Sequence, residues 1–121
     1  MVISDDDPLL RDALRDVLDA EPDLEVVAVA RDADEAIALV ERHAPAVVVL
    51  DLRMPGGGGG RAAREIRVRS PRTGILALSA LADPDVFREI RSAGVEEHLV
   101  KGVPNDDIVA AVRRLGRPTR G

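Results

Sequence analysis

Four short apolar runs in this chain each lead into residues able to handle a phosphoryl group or the metal that accompanies one. Ile3-Ser4 runs into Asp5-Asp6, Val47 to Leu50 into Asp51, Ile75 to Leu78 into Ser79, and His98 to Val100 into Lys101. Three carboxylates, a hydroxyl and an ammonium are thereby offered by segments far apart in the chain. Such oxygen ligands suit Mg2+, which takes one or two carboxylates, waters and substrate phosphate, with Mn2+ as an alternative. Without a cation the acids repel one another and at least one pKa rises. An aspartate can be the nucleophile in phosphoryl transfer and become an acyl phosphate; Asp51, central in the set, is the candidate. Ser79 can hydrogen-bond one phosphoryl oxygen and Lys101 can pair with another, and positioning plus electrostatics is most of what this chemistry asks of a protein. Lys101 is the single lysine beside 16 arginines, a compact charge where planar guanidinium serves elsewhere.

Each residue also has an ordinary reading. Asp5 to Asp7 before Pro8 can be a helix cap, Asp51 can open a turn, and Ser79 can bond backbone. The agreement of four strand ends on one chemistry favours the shared site.

Positioning these ends together requires a parallel α/β sheet, where residues beyond the carboxyl ends of the strands line one crevice. Strands and helices alternate five times, the pattern of a doubly wound domain. The first strand is Val2 to Ser4; Asp7-Pro8 caps a helix with Leu10, Leu14, Val17 and Leu18 on its apolar face. Glu25 to Ala30 is the second strand, and Asp32 with Glu35 resembles a capping box for a helix that Pro45 stops. Ala46 to Leu50 is apolar without alternation and reads as the central strand, covered on both faces. Five glycines, Gly56 to Gly60, precede a third helix reaching about Val68, and their ordering cost predicts a mobile loop beside Asp51. Gly74 to Leu78 is the fourth strand. Asp83-Pro84 caps a helix with Val86, Phe87 and Ile90 inside, ended by Gly94; a short strand reaches Lys101, and Asp106 to Leu115 is the last helix.

At 121 residues, 45% hydrophobic and 32% charged, the chain fits one globular domain over 1–115, with 116–121 as a tail or the start of a linker. No run approaches the ~18 apolar residues of a membrane span, and no signal peptide precedes the first strand, so a cytoplasmic location and no membrane partner are expected. The absence of cysteine excludes disulfides and thiolate metal sites. The net charge is -5, yet from Arg113 onward there are four arginines and no acid; the acidic body is a poor partner for nucleic acid. Phe87, the one aromatic residue, argues against base stacking.

Over almost its whole length the chain resembles the receiver domain of bacterial response regulators, of the NarL/FixJ type in the CheY-like superfamily. The resemblance is carried by Ser4-Asp5-Asp6-Asp7-Pro8-Leu9-Leu10-Arg11, by Val49-Leu50-Asp51-Leu52-Arg53-Met54-Pro55-Gly56, and by Ser92-Ala93-Gly94 through Leu99-Val100-Lys101. It implies a flavodoxin-like (βα)5 fold with strand order 2-1-3-4-5, and phosphorylation of Asp51 by a sensor histidine kinase. It also implies Mg2+ held by Asp6, Asp51 and the backbone carbonyl of Arg53, with Asp5 acting through water. Ser79 would close on the phosphoryl group, Lys101 would pair with it, and the surface of the fourth helix, fifth strand and fifth helix would change. The usual consequences are homodimerisation and control of a DNA-binding output domain, which this chain lacks. Arg53 and Leu81 stand where the family tunes loss of the phosphoryl group.

Three departures from the family pattern matter. His98 occupies the place of an aromatic switch residue that follows the hydroxyl, and an imidazole there would make switching pH-sensitive. Gly57, Gly58 and Gly60 replace larger residues. Asp7 stands where the subfamily often has His, adding a charge favoured by the helix dipole. His43 is expected on the surface. The resemblance implies no turnover of an external substrate. Two rivals remain: an atypical receiver that dimerises or binds a ligand without phosphorylation, and a magnesium-dependent phosphohydrolase. The second lacks an acid two residues after Asp51, where Arg53 stands.

Overall fold

Periodicity and capping chemistry put strands and helices in strict alternation. A computed structural model describes residues 1–53, 58–79 and 84–116, apart from the side chains of 85–87 and 89. The elements are β1 (Val2–Ser4), α1 (Pro8–Asp19), β2 (Ala28–Ala30), α2 (Ala33–His43), β3 (Val47–Asp51), α3 (Gly58–Arg69), β4 (Gly74–Ser79), α4 (Pro84–Ser92), β5 (Glu97–Val100) and α5 (Asn105–Leu115). The five strands are parallel in the order β2-β1-β3-β4-β5, as expected from the sequence.

All five residues of β3 and all six of β4 are buried, because helices cover both faces. Val2, Val48, Leu50 and Ile75 pack with Ala36, Ile37, Val40, Ala62, Ala63 and Ile66 of α2 and α3. On the other face Ile3, Val47, Val49, Leu76 and Leu78 pack with Leu18 of α1 and Ile108, Val109 and Val112 of α5. Fully burying a side chain of this size stabilises by about 1.5–3 kcal/mol relative to exposure, so the two layers together fix the sheet on which the site is built.

The caps follow the local sequence. Asp7 accepts from the Leu9 amide with Pro8 in the first turn, and Asp32 accepts from the Glu35 amide at 2.8 Å. Ala44 ends α2 in the left-handed region, φ 44°, just before Pro45. Gly94, φ 89°, ends the α4 turn, with the Val95 amide donating back to the Ile90 carbonyl.

Several boundaries differ from expectation. β2 begins at Ala28 rather than Glu25: the Met1 ammonium donates to the Glu25 carbonyl and the Val27 amide to the Met1 carbonyl, a pairing one residue out of the Val2↔Ala28 register. α1 buries Leu18, while Leu10 is exposed. α3 starts inside the glycine run, and α5 one residue earlier than expected. His43 is exposed, as expected. The expected positions of Asp83, Val86 and Phe87 in α4, and of Leu81, lie outside the described residues or side chains.

Candidate phosphoryl and metal site

Side-chain alternation places the charged residues before any attraction acts. Asp5 is two residues beyond Ile3, Asp51 two beyond Val49, and Lys101 two beyond Leu99, and all three predecessors point into the α1/α5 layer. With a period of two, the three charged side chains leave their strands on that same face. Strand register then brings them level. The Asp5 amide donates to the Ala30 carbonyl at 3.1 Å, and the Lys101 amide to the Ser79 carbonyl at 2.7 Å, each extending a ladder by one residue.

Asp5 and Asp51 are 0% and 1% exposed. Lys101 Nζ lies 3.4 Å from Asp5 Oδ2 and 3.2 Å from Asp51 Oδ2. Asp5 Oδ1 accepts from the Asp7 amide and Asp51 Oδ1 from the Arg53 amide, so each buried carboxylate has one oxygen tied to backbone. The other oxygen of each, Oδ2, is buried without a hydrogen bond. Burial, with the Asp51 charge nearby, pushes the Asp5 pKa above its ordinary value, against the Asp7 amide and Lys101.

Ligand oxygens of Asp5, Asp6 and Asp51 all lie within 4.8 Å of one another. Two buried carboxylate oxygens lacking hydrogen bonds, with an exposed third acid at the mouth, fit a hard divalent cation such as Mg2+. Beside the acids a cavity of about 190 Å3 opens between α1 and α5, with Asp5 and Lys101 at one end and Leu10, Leu14, Val17 and Ile108 along it.

Ser79 leaves β4 on the other face of the sheet. It shares strand parity with Ile75, which faces the α2/α3 layer, and its Oγ lies 3.2 Å from His98 Nε2. Register explains the pair: His98 is opposite Ala77, so Ser79 is its diagonal neighbour on one face. Burial holds the His98 pKa below its usual 6.5.

Two contacts of the site were given no role from the sequence. Arg11 donates from Nη1 to the Asp5 carbonyl at 3.1 Å, yet it is one of 16 arginines. A Cβ on Gly59 would lie 2.7 Å from Leu52 Cδ2, 2.9 Å from Leu52 Cα and 3.1 Å from the Asp51 carbonyl. That close approach requires glycine, and a run of five identical residues hides which one is needed. Gly58, φ 74°, adopts a left-handed conformation and Gly59 donates to the Leu52 carbonyl. Gly58 to Gly60 form the first turn of α3, packed against the end of β3; Gly56 and Gly57 lie outside the described residues.

A parallel five-stranded α/β sheet carrying an acid cluster and a lysine at its strand ends defines a class of signalling domain. The response regulator receiver domain family matches residues 1–113, and the chain belongs to that family. It is 34% identical over 113 residues to the transcriptional regulatory protein DegU of Brevibacillus brevis, covering 93% of this chain and 48% of that protein. It is 34% identical to the oxygen regulatory protein NreC of Staphylococcus carnosus, covering 97% and 54%. The chain thus spans about half the length of the curated relatives it matches. Among solved structures, the signal receiver domain of NarL from Mycobacterium tuberculosis superposes with TM-score 0.91 at 32% identity, covering 95% and 93% of the two chains. A two-component response regulator of the LuxR family from Aurantimonas sp. SI85-9A1 gives 0.89 at 30%, covering 95% and 82%. No helix among the described residues is long and apolar enough to cross a membrane.

Proposed function

We propose that Asp51 is the phosphoacceptor of this receiver domain, taking a phosphoryl group from a histidine kinase. The observation that carries the reading is the buried Asp51 Oδ2, which lacks a hydrogen bond and sits 3.2 Å from Lys101 Nζ. That oxygen attacks phosphorus, the bond from phosphorus to the donor imidazole breaks, and the product is an aspartyl phosphate with the electron pair left on the imidazole nitrogen. Lys101 moves its charge from the carboxylate to a phosphoryl oxygen. Asp5, Asp6, Asp51 and the Arg53 carbonyl would hold Mg2+, which supplies charge neutralisation for the transferring group.

Ser79 would exchange its His98 partner for a phosphoryl oxygen. Since His98 is on β5, that exchange is how the signal would reach the surface of α4, β5 and α5, with homodimerisation as the expected readout. The naming of the relatives as transcriptional regulators supports control of a DNA-binding output joined to a receiver unit spanning 1–115, with 116–121 as the start of a linker.

Intact mass after incubation with Mg2+ and acetyl phosphate tests the reading. One added phosphoryl group, absent in Asp51→Asn and absent with chelator, is expected. No adduct, and no beryllofluoride binding, would leave the phosphorylation-independent receiver as the better reading.

A further inference from the structure

Asp5 is tied down by nearly every polar atom it has. Its amide donates to Ala30, its Oδ1 accepts from Asp7, and its Oδ2 faces Lys101. The remaining group is its carbonyl, and Arg11 of α1 reaches back six residues to bind it through Nη1 at 3.1 Å. A peptide unit is planar, so fixing the Asp5 carbonyl fixes the Asp6 amide on the same plane and the direction in which the Asp6 chain leaves it. Asp6 is the exposed member of the acid cluster, and the Arg11 bond is a tether on the peptide that presents it.

We propose that Arg11 is a positioning residue for divalent-cation binding, orienting the Asp5-Asp6 peptide so that the Asp6 carboxylate meets those of Asp5 and Asp51. The role rests on the metal-site reading above. It runs against simple electrostatics, which makes it decidable. A guanidinium on the Asp5 carbonyl adds positive charge near the acid cluster, so removing its charge alone would tighten Mg2+ binding. Losing the tether instead lets the peptide rotate and loosens binding.

Calorimetric titration of Mg2+ into the whole chain, its Arg11→Met variant and its Arg11→Lys variant separates the two. Arg11→Met keeps an apolar stem without donor or charge, and is expected to weaken Mg2+ binding about tenfold, the low end for groups that orient metal ligands. Arg11→Lys, which keeps a donor, is expected to recover part of the loss. Unchanged or tighter binding in Arg11→Met overturns the proposal. Where that variant does not fold by circular dichroism, Arg11→Leu replaces it, with the same weakening expected and the same tightening decisive against. A different failure marks the underlying reading. If the unaltered chain binds no Mg2+, or binds it equally with Asp6→Asn and Asp51→Asn, the site itself is misassigned and the proposal falls with it; normal binding that Arg11→Met leaves intact removes the proposal alone.

Discussion

Lys101 Nζ lies 3.2 Å from Asp51 Oδ2 while also reaching Asp5 at 3.4 Å, so one ammonium serves two buried carboxylates. Each of those oxygens lacks a hydrogen bond, and the lysine is therefore their counter-charge in the metal-free domain. Removing it leaves buried charge uncompensated, which costs 3–5 kcal/mol when burial is complete. The lysine side chain is 23% exposed, so water recovers part of this. Lys101→Ala should lose about 2 kcal/mol of stability without metal, and saturating Mg2+ should raise its melting temperature more than that of the unaltered chain. Thermal circular dichroism with and without Mg2+ reads both, since the chain has no Trp or Tyr for fluorescence.

Asp5 has its pKa raised chiefly by burial. Its neutral form is favoured on folding, so in the metal-free protein its contribution opposes folding as pH rises through the raised pKa. A cation competes with that proton. Mg2+ affinity should therefore increase as pH rises through the same window, with proton release on binding, and Asp5→Asn should flatten the dependence. Titrations in buffers of different ionisation enthalpy measure the protons released.

Depression of the His98 pKa below 6.5 gives the opposite sign. As pH falls through 6.5 the unfolded chain takes up a proton that the folded chain resists, so stability is lost on acidification. His98→Phe should lose less stability than the unaltered chain between about pH 8 and about pH 5.5, read by denaturant midpoints at each pH. An equal loss in both would remove His98 as a source of the dependence.

Gly59 and Gly102 test close approach against backbone strain. Gly59→Ala forces a carbon into Leu52 and the Asp51 carbonyl, and should cost about 1–3 kcal/mol as overpacking does, while slowing adduct formation from acetyl phosphate. Gly102→Ala meets nothing within 4 Å but sits at φ 99°. It should cost about 1–2 kcal/mol from strain with little effect on the adduct rate relative to Gly59→Ala. Urea unfolding and intact mass against time separate the pair.

The amino-acid sequence by itself determined which elements form and which residues stand at their ends. An apolar run without alternation marks β3 as a covered strand, Asp7-Pro8 and Asp32 start helices where they should, and Asp5, Asp51, Ser79 and Lys101 each follow an apolar run. These are local properties, written in periods and caps. Tertiary structure alone decided what those ends meet. Strand order and register bring Asp51 beside Lys101 and set Ser79 next to His98, pairings that depend on which strand is neighbour to which. Arg11 and Gly59 belong to the same class, because a guanidinium reaching a carbonyl six residues away, and a helix turn lying against Leu52, are matters of packed distance. Composition shows 16 arginines and ten glycines; packing sets Arg11 and Gly59 among them against the site.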